Sequence, residues 1–171
     1  MIQDWDDNEF PLAYLLTIRT FGTWLHGDGR GSVDTHGRNT YGTDHVAENK
    51  NLEQRMKDNM VNQMFLLNGK QRSVCKVAIK AMCEFRSYAL IALNIRTNHA
   101  HMVISAAKKP ELLLTALKSN MTRELRNAGL VTRDQTIWSR GGSRRYIWKP
   151  EQMERAVNYV LYCQGDELPD F

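Results

Sequence analysis

The sequence predicts an α+β domain built on an antiparallel sheet. Three observations carry this: two apolar runs joined by the short turn RTN, a further apolar run near the start of the chain, and amphipathic helical stretches set between such runs. A chain of 171 residues, 42% of them hydrophobic, can bury one sizeable core and is short of what two ordinary domains need, so a single domain over 1–171 is expected.

Residues 11–20, PLAYLLTIRT, read as a buried strand with Leu12, Tyr14, Leu16 and Ile18 on one face. Residues 21–45 are rich in Gly, Asp and Thr without apolar periodicity and read as a long surface excursion. Its His26, His36 and His45 lack ligand spacing and are expected to face solvent. Leu52, Met56, Met60 and Met64 at four-residue steps predict a helix over 48–65, the methionines serving as packing. After the break at Asn68-Gly69, Val74, Val77, Ala78, Ala81, Met82 and Phe85 predict a second helix ending near Ser87. Residues 88–95 and 99–106 form a hairpin around the turn 96–98. Pro110 opens a helix through Ala128 with Gly129 as its stop. A strand over 145–148 and a last helix from Pro150 to just before Gly165 complete the order strand, helix, strand, strand, helix, strand, helix, the split arrangement of a ferredoxin-like (RRM-like) sheet with an added C-terminal helix.

Cys75, Cys83 and Cys163 are odd in number and show no CxxC spacing, which argues against a disulfide framework or a zinc knuckle and for a reducing compartment. The longest apolar run, ALIAL, is far below the ~20 residues of a membrane span, so a soluble cytoplasmic protein is expected. A net charge of +4, with basic residues gathered late in the chain, suggests a polyanionic partner.

The chemistry-bearing stretch is NHAHMVI. Alternate residues of a strand share a face, so His99 and His101 stand side by side and can hold a metal. Arg140, Arg144, Arg145 and Lys149 surround Gly141-Gly142, with Trp138, Tyr146 and Trp148 interleaved, the mixture of charge and stacking surface that unpaired nucleic acid requires. Lys118, Arg123 and Arg126 extend this set or form a solvated helix face. On the last helix Met153, Ala156, Val157, Val160 and Leu161 make the apolar stripe, and Tyr159 lies beside it between Arg155 and Cys163.

Taken together, LLTIRT, ALIALNIRTNHAHMVIS, LKSNMTRELRNAGL, Trp138 to Gly141 and AVNYVLYCQ resemble, in order from Leu12 to Gln164, the single-tyrosine HUH transposases, which include small insertion-sequence transposases and relatives associated with repetitive extragenic palindromes. Against that pattern, 21–65 stands out as an insertion. The resemblance implies an enzyme that cleaves and transfers single-stranded or hairpin DNA, a divalent Mg²⁺ or Mn²⁺ on His99 and His101, and Tyr159 as nucleophile forming a 5′-phosphotyrosine link, its phenol activated by the metal and by Arg155. It also implies a polar amide as third ligand one turn after the tyrosine, where this chain has Cys163 at i+4 and Gln164 at i+5. On an ideal helix i+5 points away from Tyr159, but an unwound last turn before Gly165 would bring Gln164 back, and a hard cation favours the amide oxygen over a thiolate, so Gln164 is the expected ligand. A homodimer with exchanged terminal helices stays open. The competing reading is a non-catalytic, domesticated module that binds single-stranded DNA or RNA without cutting it. A histidine-triad hydrolase is disfavoured because its third alternate position is Val103 here, and no GxxxxGK[ST] loop is present.

Overall fold

The computed structural model describes residues 10–23, 50–58, 63–166 and 168. The acidic residues before Phe10, His26, His36 and His45 lie outside them. The described elements run β1 (Ala13–Arg19), α1 (Lys50–Asp58), α2 (Gly69–Phe85), β2 (Ala89–Ile95), β3 (His99–Ser105), α3 (Pro110–Asn127), β4 (Ser143–Ile147) and α4 (Pro150–Tyr162). The four strands form one antiparallel sheet in the order β2-β3-β1-β4, the ferredoxin-like arrangement expected, with the histidine strand at its centre.

Both faces of the sheet are covered. Tyr14, Leu16, Ile18, Ala100, Met102 and Ile104 pack with α2 and α3 in the larger core. The alternate residues Ala13, Leu15 and Val103 join Ala92, Ile147, Ala156 and Val160 in a smaller core under α4. The expected helix stripe is present except at its end, where Leu161 is exposed. β1 is apolar on both sides because it is a central strand between two helical layers, which explains why AYLLTIR reads as a run rather than an alternation.

Helix starts follow their local chemistry. Asn68, read as a break, is the N-cap of α2: its side-chain oxygen accepts from Gln71 N at 2.9 Å while Gln71 Oε1 accepts from Asn68 N at 2.9 Å. Pro110 and Pro150 occupy first turns, where a missing N–H costs nothing. The helix expected over 48–65 is shorter: α1 stops at Asp58, residues 59–62 lie outside the described residues, and 63–68 have no regular structure. There the backbone bonds to neighbours instead of to itself, Phe65 N donating to Phe21 O at 2.9 Å and Leu67 N to Thr97 O at 2.7 Å. This buries Phe65 and Leu67 and leaves Met64 exposed.

Candidate active site

His99 and His101 open β3 on the face that α4 covers. In the register His101 lies opposite Thr17 on β1 and Asn94 on β2, while His99 lies opposite Arg19. The imidazole centroids are 4.5 Å apart. One ring nitrogen of each is held from behind: Thr17 Oγ1 is 2.7 Å from His101 Nδ1, and Asn98 Oδ1 accepts from His99 Nδ1 at 2.7 Å. The Asn98 oxygen, an acceptor, fixes the tautomer of His99, and the two bonds together fix the orientation of both rings. Burial, reinforced by the neighbouring His99 and Arg19, pushes the His101 pKa down to about 3, so this imidazole is neutral at physiological pH.

Tyr159 projects from α4 toward the pair, its ring centroid 5.2 Å from that of His101, and remains partly exposed. Tyr162 is still more exposed, at 76%. α4 packs against β2 and β3, which brings the tyrosine beside the histidines.

Gln164 reaches the site by the unwinding that its i+5 position demands. α4 ends at Tyr162, Cys163 leaves helical geometry at φ −109°, ψ 24°, and Gln164 turns back so that Nε2 donates to the Tyr159 carbonyl at 2.9 Å. Its Oε1 then lies 3.3 Å from His99 Nε2. With His99 Nδ1 donating to Asn98, a neutral His99 presents a lone pair to the lone pairs of an amide oxygen. Two such acceptors are held together by a positive charge, either the second proton of an imidazolium or a cation. Donors bound at right angles to a cation with ~2.1 Å bonds lie about 3 Å apart, so the spacing fits a shared divalent ion. Among the described residues no three His, Cys, Asp or Glu side chains form a metal cluster. The side chains here that could hold a cation are two imidazoles and one amide, and Cys163 is exposed.

The basic residues divide. Strand alternation sends Arg145 to the histidine side with Thr17, whereas Arg144 pairs with Glu111 of α3 at 2.7 Å on the opposite side. Arg140 and Lys149 are exposed in the flanking turns. Lys118 turns inward and donates to the carbonyls of Ser139 and Gly141, fixing the turn around Arg140. Of the two glycines Gly142 is wedged, since a Cβ on it would sit 2.9 Å from the Thr17 carbonyl oxygen, while Gly141 faces open space. Trp138 donates to Thr122 and is half-buried, while Tyr146 and Trp148 stack in parallel at 6.1 Å. Arg123 binds Glu124 and Asn120, and Arg126 the Arg133 carbonyl. Sequence reasoning missed Thr17 and Asn98; Thr17 was signalled by being the one polar residue inside the apolar part of β1.

Comparison with known proteins gives the family. A family model described as "Transposase IS200 like" matches residues 60–158, more than half of the chain. The chain belongs to the IS200-like transposases. Within this family match lie α2, the histidine hairpin, α3 and β4; β1 precedes it, and Tyr159 and Gln164 follow it. No curated protein sequence matches the IS200-like chain. Among solved structures it is similar to a REP-associated tyrosine transposase bound to a REP hairpin, at 9% identity and a TM-score of 0.45 over 86% of this chain. The chain spans 63% of the length of that structure. No described helix of this IS200-like transposase is long and apolar enough to cross a membrane.

Proposed function

We propose that this IS200-like transposase is a metal-dependent single-strand DNA endonuclease and strand transferase whose nucleophile is Tyr159, acting within one domain that carries an insertion at 21–65. The observation that supports this best is the convergence of Tyr159, 5.2 Å from His101, with Gln164, 3.3 Å from His99, on one face of the sheet. A bound Mg²⁺ or Mn²⁺, held by His99, His101 and Gln164, would supply Lewis-acid polarisation of the scissile phosphate.

The chain's own groups account for the rest. Tyr159 Oη attacks phosphorus as its phenol proton leaves to solvent; the bond from phosphorus to the 3′-oxygen breaks, and that oxygen takes up a proton. The result is a 5′-phosphotyrosine and a free 3′-hydroxyl. Attack of a 3′-hydroxyl on the phosphotyrosine reverses the step, so a phosphodiester is exchanged for a phosphodiester without ATP. Arg140, Arg145 and Lys149 neutralise the strand leading to the site, whereas Arg144, on the opposite face and paired with Glu111, contributes little.

The deciding experiment incubates labelled single-stranded and hairpin oligonucleotides with the protein and Mg²⁺ or Mn²⁺, followed by a denaturing gel. A covalent adduct that is lost in Tyr159→Phe and kept in Tyr162→Phe supports the reading. Adduct loss in Tyr162→Phe alone moves the nucleophile by one turn. Binding without any adduct favours the non-catalytic DNA- or RNA-binding module.

A further inference from the structure

We infer that Asn94 and Arg96 are positioning residues, which fasten the C-terminal end of α4 to the histidine hairpin so that Tyr159 and Gln164 meet His99 and His101 in one geometry. The inference rests on the site reading given above. It begins from an imbalance in how α4 is held. The apolar contacts of this helix come from Met153, Ala156, Val157 and Val160. Beyond Val160 they cease: Leu161, Tyr162 and Cys163 are exposed, as are Gly165 and Asp166. Yet the ligand side chain belongs to this uncovered stretch, so burial cannot be what places it.

Two side chains from β2 and the turn after it do so. Asn94 Nδ2 donates to the Val160 carbonyl at 3.0 Å, one of the last-turn carbonyls that the helix itself leaves without a donor. Arg96 Nη1 donates to the Asp166 carbonyl at 2.5 Å, two residues beyond Gln164. The two bonds bracket the segment 160–166, and the bond from Gln164 to the Tyr159 carbonyl closes it internally. Asn94 stands opposite His101 in the sheet, and Arg96 N bonds the His99 carbonyl at 2.7 Å, so fasteners and imidazoles share one rigid hairpin. Gly165, at φ 82°, makes the left-handed step on the way to Arg96. Because Arg96 grips a carbonyl, the Asp166 side chain is dispensable.

The test uses the full chain without DNA. Backbone hydrogen exchange over 157–166 and calorimetric Mn²⁺ binding are measured for Arg96→Ala, Arg96→Lys, Asn94→Asp, Asp166→Asn, Gln164→Ala and the double variant of Arg96→Ala with Gln164→Ala. Arg96→Ala and Asn94→Asp should speed exchange of that segment about tenfold or more while β1 and β3 keep their protection, and weaken Mn²⁺ binding roughly tenfold. Arg96→Lys, which keeps a donor, and Asp166→Asn should stay near wild type. The double variant should bind Mn²⁺ no more weakly than Gln164→Ala, because Arg96 acts through Gln164. Unchanged exchange, additive losses in the double variant, or loss of protection throughout the sheet would each overturn the inference. Should Arg96→Ala fail to fold, Asn94→Asp and Arg96→Lys still decide it. Neither readout requires cleavage, so an inactive wild type would refute the strand-transfer reading and leave this one standing or falling on its own data.

Discussion

Gln164 links Tyr159 to His99: its amide nitrogen donates to the Tyr159 carbonyl at 2.9 Å and its oxygen lies 3.3 Å from His99 Nε2. The nitrogen's commitment to a carbonyl fixes which end of the amide faces the imidazole, and that end is the oxygen a hard cation prefers.

Gln164→Ala should therefore raise the Mn²⁺ concentration needed for cleavage by about 10-fold or more, whereas Cys163→Ser should leave it nearly unchanged. Titration of adduct formation against Mn²⁺ and Zn²⁺ checks this. A shift produced by Cys163→Ser alone, or a preference for Zn²⁺, would transfer the ligand role to the thiol.

The groups behind the imidazoles carry a second expectation. Thr17→Val keeps the shape of the buried side chain and removes its hydrogen bond to His101, and Asn98→Ala does the same for His99. Each should cost about 10–100-fold in metal affinity. Chemical denaturation of Thr17→Val should shift by only about 1 kcal/mol, and Thr17→Ser should retain wild-type metal demand. A large stability loss with unchanged metal affinity would assign Thr17 to packing instead.

Strand alternation sets two adjacent arginines on opposite faces of β4. Arg145→Ala should weaken binding of a single-stranded oligonucleotide and lower the slope of log K against log salt by about 0.7, the share of one phosphate contact. Arg144→Ala, whose charge is already balanced by Glu111, should change the slope much less. Equal slopes for the two variants, measured by fluorescence anisotropy at several salt concentrations, would mean that the strand crosses both faces of β4.

The glycine pair gives a stability contrast. Ala at 141 meets open space and suffers only from φ 70°, a cost of roughly 1–2 kcal/mol. Ala at 142 meets in addition the Thr17 carbonyl at 2.9 Å and Leu114 at 3.0 Å, so a further ~1–3 kcal/mol is expected. Urea unfolding of Gly141→Ala and Gly142→Ala should rank them in that order, and equal midpoints would show that the wedge yields freely.

Much of this was readable from residue order, for identifiable reasons. The hairpin, α3 and α4 announce themselves because proline starts, glycine stops and apolar spacing agree with one another. The histidine pair was legible because strand alternation is a local rule. What escaped was set by partners distant in the chain. Arg144 and Arg145 look alike until the register with β1 assigns them faces, and Gly142 looks as loose as Gly141 until Thr17 is laid over it. The helix expected over 48–65 was overextended because its four-residue spacing runs on to Met64, in a stretch without regular structure where Phe65 and Leu67 bond to Phe21 and Thr97 instead. Gln164 was legible because Gly165 announces the end of a helix, but the bonds from Asn94 and Arg96 to the segment around it were not.

The bond between Phe65 N and the Phe21 carbonyl, 2.9 Å long, brings together the two ends of everything encoded between them. The chain departs from the sheet and rejoins it at a single doorway, with the Thr20 and Leu67 amides bonded to the carbonyls of Asn98 and Thr97 beside it. A segment rooted that way can lengthen at little cost, since doubling its length adds only about 0.6 kcal/mol of closure entropy. Its root adjoins the residue that steadies His99. The same three bonds tie that root to the turn before β3, so a change at Phe21 or Phe65 reaches the histidine hairpin through Thr97 and Asn98.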